Sequence, residues 1–278
     1  MAWLTKSKLW FLVSYYISNV ILFRAGGYLA TARIKKYNAI WSRLHEENSG
    51  YKAWLVVANG PSLKVEDLDL LSGIPSIASN KITLIYPNTK WRPTIFTIAD
   101  PLLLFKLDCN HYSSVPYTLT STNGFHMVKS VNKAPWKMQK FKGAVKAYAA
   151  RKKIPEPILN GFFGSKTITI SNIQIAMWLG AKKIYLIGCD HDYKEERLEN
   201  VKKLSHGETP NHFHPDYRKK GEIVNNAPIR AMNSGFEHIR RIADDHGIEI
   251  VNISRKTNLK TFKVSTVELA LKEFSSSV

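Results

Sequence analysis

The chain has 278 residues, 44% of them hydrophobic, which is enough for a full core: one domain with appendages is expected, and two are compatible with the length. Its net charge of +18 exceeds what a cytosolic metabolic enzyme needs and suits nucleic acid, an anionic membrane surface or a phosphate-rich substrate. The two cysteines, Cys109 and Cys189, form no CxxC pair, which gives no support to zinc clusters or a disulfide framework and fits a reducing compartment.

Residues 1–50 read as a basic, amphipathic helical arm. Leu9, Leu12, Val13, Tyr16, Ile17, Val20 and Ile21 recur at helical spacing, flanked by Lys6, Lys8 and Arg24. As a helix, Leu9 to Phe23 would rise only about 22 Å, short of the roughly 30 Å hydrocarbon core. A spanning helix is therefore disfavoured. Three readings stay open: an interfacial helix with Trp3, Trp10, Tyr15 and Tyr16 at headgroup depth, a helix docked on the protein's own core, or a secretory signal. Residues 31–50, with Arg33, Lys35, Lys36 and Arg43, read as a second basic helix, favouring anionic lipid.

The domain proper is expected over 51–260. It opens with Ala53-Trp-Leu-Val-Val-Ala-Asn-Gly-Pro-Ser-Leu63, an apolar run that breaks abruptly at Asn59, Gly60, Pro61 and Ser62. Such a run reads as a strand buried on both faces. Gly60 permits a tight turn and Pro61 suits the first turn of a helix. Further strands are expected at Pro75–Ser79, Thr94–Ala99, Pro116–Thr120, Lys183–Gly188 and Ile248–Ile253, with helices at Thr167–Leu179 and Ala227–Asp245. This alternation predicts an α/β fold, a Rossmann-like, doubly wound, mostly parallel sheet. Asn59, Asn80 and Asp100 each end a strand, so parallel strands would bring them to one edge, a cradle for sugar hydroxyls and base edges.

Residues 122–165 read as a basic insertion, with aromatics interleaved among Lys129 to Lys153. No helix-turn-helix, RNP or zinc signature accompanies it, so it is read as a solvated, anion-attracting segment and nucleic acid is not an expected partner. Thr167 and Thr169 stand in the first turn of a helix, where exposed amides favour an anion. Asp190 and Asp192 form a DxD pair that offers a weak alternative site for Mg²⁺ or Mn²⁺. The polar stretch 194–224 is a long loop, expected to be mobile and functional. Its His212 and His214, near Asp216, suit metal binding or acid–base work, with His214 ranked first and His212 second. Residues 261–278 form a C-terminal tail with one short helix.

The run VVANGPSL, then Ser79-Asn80 and Ile98-Ala-Asp-Pro101, resembles the CMP-sialic acid-dependent sialyltransferases of glycosyltransferase family 42. It also resembles a broader GNGPSL-type group (domain of unknown function 115), which includes motility-associated glycosylation factors and archaeal 6-hydroxymethylpterin diphosphokinases. LGAKKIYLIGCDHDY is a second match. The resemblance covers roughly 53–260 and implies a GT-A-like nucleotide-binding domain. It implies a membrane-peripheral, cytoplasmic glycosyltransferase at the inner membrane, passing an acidic sugar from a CMP donor to a cell-surface glycan or lipopolysaccharide, with inversion. Asn59, Gly60, Pro61, Ser62, Asn80, Asp100, Asp190 and Tyr193 would hold the nucleotide. Thr167 or Thr169 would replace the family's phosphate-binding serine, which aligns near Ile168. His214 or His212 would be the base. The sialyltransferases are metal-independent, so no cofactor is implied. The alternatives are a Mg-ATP-dependent pterin diphosphokinase, with Asp190 and Asp192 on the metal, and a non-enzymatic basic adaptor at a membrane or on nucleic acid.

Overall fold

A computed structural model describes residues 37–100, 103–104, 107–108, 110, 112, 114–121, 128, 132–157, 161–193, 202–204, 211–218, 223–225 and 228–275. The helix expected over 9–23 lies outside the described residues, as does most of the stretch from 194 to 210. No helix among the described residues is long and apolar enough to cross a membrane.

Eight strands form one sheet in the order β10-β9-β6-β1-β2-β3-β4-β5. They are β1 (Ala53–Val57), β2 (Ser76–Ser79), β3 (Ile95–Ile98), β4 (Tyr117–Ser121), β5 (Lys133–Trp136), β6 (Lys183–Ile187), β9 (Glu249–Asn252) and β10 (Lys263–Val264). Every neighbouring pair is parallel, so the sheet is parallel throughout rather than mostly so. Between β6 and β9 the short strands β7 (Lys202–Leu204) and β8 (Ile223–Asn225) pair antiparallel as a separate ribbon. The chain starts at β1, winds outward to β5, then returns to place β6 on the other side of β1. That reversal makes the carboxyl ends of β1 and β6 the topological switch point, where open α/β sheets hold ligands.

Helices cover both faces. On one lie α1 (Asn38–Asn48), α3 (Phe141–Arg151), α4 (Ile168–Trp178) and α5 (Ile229–Asp245). On the other lie α2 (Val65–Leu70), the 3-10 stretch Asn80–Asn88 and α6 (Val267–Ser275). Helix α4 is buried on every side from Thr169 to Met177 and crosses β1, β2 and β3. A helix apolar all round belongs at the centre of such a layer. Its polar side chains bond locally where they bond at all, and Asn172 Nδ2 is buried without a partner among the described residues. Gln174 Nε2 donates to the Phe163 and Ile170 carbonyls, and Thr97 on β3 donates to Asn172 Oδ1 at 2.7 Å.

The sheet draws in segments that the sequence reading kept apart. Helix α1, assigned above to the arm, is core: Trp41 and Leu44 are fully buried, and the Trp41 indole N–H donates to the Pro135 carbonyl at 3.1 Å. Residues 133–151, read above within the basic insertion, supply edge strand β5 and helix α3. Pro135 is tolerated in β5 because an edge strand has one unpaired side. The tail contributes β10 on the opposite edge and α6, whose Tyr185–Glu273 hydrogen bond of 2.8 Å ties it to β6.

Candidate functional site

The turn after β1 is held by the turn after β6. The Gly60 amide donates to the Gly188 carbonyl at 2.8 Å. The Ser62 amide donates to Asp190 Oδ2 at 2.7 Å, and the Ser62 hydroxyl to Asp190 Oδ1 at 2.5 Å. A methyl group on Gly60 would stand 2.6 Å from both the Asp190 carboxyl carbon and the Gly188 carbonyl oxygen. Only glycine lets the two turns close so tightly. Burial pushes the Asp190 carboxyl up, and its two Ser62 hydrogen bonds pull it back. Asp190 thus braces the turn with both oxygens. Pro61 is exposed beside it.

Asn59 is the polar centre of this edge. It is 9% exposed, and its Nδ2 donates to the Ser79 carbonyl at 3.2 Å, while Oδ1 is buried without a partner among the described residues. Its backbone carbonyl anchors the motif Asn211-His-Phe-His-Pro-Asp-Tyr217 from the long loop, accepting from the Phe213 amide at 3.2 Å. His212 Nδ1 lies 3.2 Å from the same oxygen. A carbonyl can only accept, so Nδ1 carries the proton and Nε2 is left with its lone pair. That Nε2 is buried and has no partner among the described residues. Burial, with Arg218 and Lys81 nearby, lowers the His212 pKa to about 3. The ring stacks on Tyr217, centroids 3.8 Å apart.

His214 is arranged differently. It caps the 3-10 turn Pro215–Tyr217, its Nδ1 accepting from the Asp216 amide at 3.1 Å. The loop is pinned from below by residues beside β2. Lys81 Nζ donates to the Tyr217 carbonyl, and the Asn80 side chain hydrogen-bonds the Tyr217 hydroxyl. Asn59, Asn80, His212 and His214 therefore gather on one edge, and Asp100 stands two residues beyond β3 on that edge. Tyr217 and Lys81 are further members that the residue-type reading missed. Their signals were adjacency to Asn80 and membership of the aromatic His-rich motif.

Non-glycine residues with left-handed backbone concentrate here. Of the five among the described residues, Asn80 follows β2, His191 follows β6, and Ser165 and Lys166 lead into α4. Such conformations cost about 1–3 kcal/mol each and persist where the surroundings over-determine them. Ser165 is held by donating to the Ala231 carbonyl at 2.6 Å, and His191 Nε2 by donating to Asn233 Oδ1 at 2.6 Å. Thr167 is the N-cap of α4, accepting from the Thr169 amide at 3.4 Å, and the two hydroxyls lie 3.2 Å apart. Tyr193 stands after β6 with its ring 5.7 Å from His191, and burial pushes its hydroxyl up to about 12.

The two carboxylates of the DxD face different partners. Asp190 is taken by Ser62, whereas Asp192 meets Lys256 at 2.9 Å and Asn258 at 3.1 Å. Among the described residues no group of three His, Cys, Asp or Glu side chains is placed to hold a metal ion. As they stand, these residues do not fit a metal site.

The sheet and its braced switch-point turn define a doubly wound, Rossmann-like α/β protein with a polar strand edge. A family model described as 6-hydroxymethylpterin diphosphokinase MptE-like matches residues 30–196. That is more than half of the chain, which belongs to this MptE-like family. The comparison with curated proteins found no match. The chain is similar to the solved MAf glycosyltransferase from Magnetospirillum magneticum AMB-1, with 13% identity and a TM-score of 0.47 over 81% of this chain. It spans only 36% of that protein's length.

Proposed function

We propose that this protein is a nucleotide-dependent transferase working at the β1–β6 edge, a glycosyltransferase that takes an acidic sugar from a CMP-activated donor. The observation that carries this reading is the pair of unpartnered, buried atoms around Asn59: its own Oδ1 and His212 Nε2. A buried polar atom without a protein partner calls for a water, an ion or a ligand to complete its hydrogen bonding, and here two such atoms lie together at the strand edge. An imidazole fixed through Nδ1–H, with its Nε2 lone pair unpartnered, has the arrangement of a general base. The geometry therefore favours His212 before His214 for this role, since the His214 Nδ1 is occupied by a backbone amide.

In this reading Asn59, Asn80 and Asp100 hold the base and ribose, and Thr167 and Thr169 at the α4 N-terminus meet the phosphate. The acceptor hydroxyl, on a glycan or glycolipid, attacks the anomeric carbon, its proton passing to His212 Nε2. The bond from that carbon to the CMP phosphate oxygen breaks on the opposite face, CMP leaves with the electron pair, and configuration inverts. A neutral imidazole is ready for this at physiological pH. The incoming phosphate raises its proton affinity, because a nearby anion favours the imidazolium. No cofactor is required.

The family description favours a second reading, ATP-dependent pyrophosphoryl transfer to a pterin alcohol. That chemistry uses Mg²⁺, for which Asp190 and Asp192 would first have to release Ser62 and Lys256.

Melting the full chain with CMP, UDP, GDP, ADP and ATP, with and without Mg²⁺, separates the readings, because a ligand that binds only the folded state raises the midpoint. Stabilisation by CMP without metal, and release of CMP from a CMP-sugar that falls on the order of 100-fold or more in His212→Ala but under tenfold in His214→Ala, is the expected result. Stabilisation only by ATP with Mg²⁺ would replace this reading with the second.

A further inference from the structure

We propose that the outer face of α3 is a docking surface for an anionic lipid bilayer. From Cys109 to Pro155 the chain contains no Asp or Glu and nine Lys or Arg residues, half of the net charge of +18. Folding concentrates the densest part of that block on α3. Lys142, Val145, Lys146 and Ala149 are exposed and lie within one stripe at the three- and four-residue steps of the helix, and exposed Lys153 follows just past the helix end at Arg151. Lys142, Lys146 and Lys153 have no carboxylate partner among the described residues. Lys152, off the stripe, is the one paired with Asp245.

The aromatics of this segment decide between two polyanions. Trp136 and Tyr148 are buried, and Phe141 turns inward against Phe163 and His238, 5.6 and 5.8 Å between centroids. Among the described residues no aromatic ring is left on the stripe to stack on bases, which single-stranded nucleic acid binding would use. What remains is a flat row of lysine charges separated by Val145 and Ala149. That surface suits a plane of anionic headgroups, which attract each nearby lysine and are screened by salt. Lysine stems can lie along the apolar residues while their ammonium groups reach the phosphates. None of these lysines is among the residues placed at the strand-edge site, so membrane docking and transfer chemistry can fail independently.

The test is co-sedimentation of the full chain with phosphatidylcholine vesicles, with and without phosphatidylglycerol. Wild type is expected to bind only the phosphatidylglycerol vesicles and to be released by salt. The triple variant Lys142→Gln, Lys146→Gln, Lys153→Gln is expected to partition roughly 100-fold more weakly, at about fivefold per lysine. The corresponding triple arginine variant should retain binding. An unchanged melting midpoint and unchanged nucleotide response would show that the glutamine variant is folded and its site intact. The proposal is overturned if the glutamine variant binds as well as wild type, if wild type ignores phosphatidylglycerol, or if oligouridylate displaces the vesicles at equal charge concentration.

Discussion

Ser62 and Asp190, 128 residues apart, are joined by two hydrogen bonds, amide to Oδ2 and hydroxyl to Oδ1. The contact welds the turn after β1 to the turn after β6, at the point where the winding reverses. Hydrogen bonds to a charged group contribute about 1.5–3 kcal/mol each, against about 1 for neutral ones. Asp190→Ala is expected to lower stability by about 3 kcal/mol in urea unfolding, and Ser62→Ala by about half that. Equal, small losses for both would mean that the brace contributes little.

The Gly60 backbone is the second half of that closure. Gly60→Ala places a methyl against Asp190 and the Gly188 carbonyl, and something must shift. We expect the variant to fold with a lowered melting midpoint and to lose its nucleotide-induced shift. Asn59→Ala should show the complementary pattern: a modest stability loss of about 1 kcal/mol from the lost Ser79 contact, with nucleotide binding abolished. Retained nucleotide binding in Asn59→Ala would remove Asn59 from the site.

Acid sensitivity should report His212. In the unfolded chain an imidazole takes its proton near pH 6.5, whereas in the folded protein His212 does so only near about 3. Between those values the unfolded state binds the extra proton. The contribution is therefore fully present above pH 6.5 and is lost as pH falls toward 3, with a slope of up to about 1.4 kcal/mol per pH unit. Burial lowers the pKa values of His191 and His238 as well, adding to the slope in the same direction. His212→Gln should flatten urea-unfolding stability between pH 6.5 and 4 by close to one proton's worth. An unchanged slope would contradict the buried, neutral state.

Helix α1 should behave as core and not as a dispensable arm. Trp41→Ala removes a fully buried indole and its bond to Pro135, and a cost of about 3–5 kcal/mol is expected in urea unfolding. A loss under 1 kcal/mol would mean that α1 docks only loosely.

The residues most legible in sequence were those whose burial shows as composition. Trp54 to Val57 and Ile184 to Ile187 are unbroken apolar runs because both faces of a parallel sheet are covered, and they read as strands without help. Asn59, Asn80 and Asp100 were legible as edge residues because parallel strands share a direction. Strand β5, Lys-Ala-Pro-Trp, was not, since four residues with a lysine and a proline carry no usable period. It is a strand because β4 offers an unpaired edge. Nor did the basic spacing of α1 tell that Trp41 and Leu44 point into the core.

By itself, then, the chain determined its layered α/β architecture, its turn after β1 and the residue types available to its ligand edge, because these follow from local pattern and from the shared direction of parallel strands. Tertiary structure alone decided how those residues divide the work. It gave Asp190 to Ser62 and Asp192 to Lys256, turned the His214 Nδ1 toward a backbone amide, and left the His212 Nε2 open beside Asn59. The reason is that hydrogen-bond partners 128 or 153 residues apart are set by which loops the sheet brings to one edge, and spacing along the chain carries no record of that.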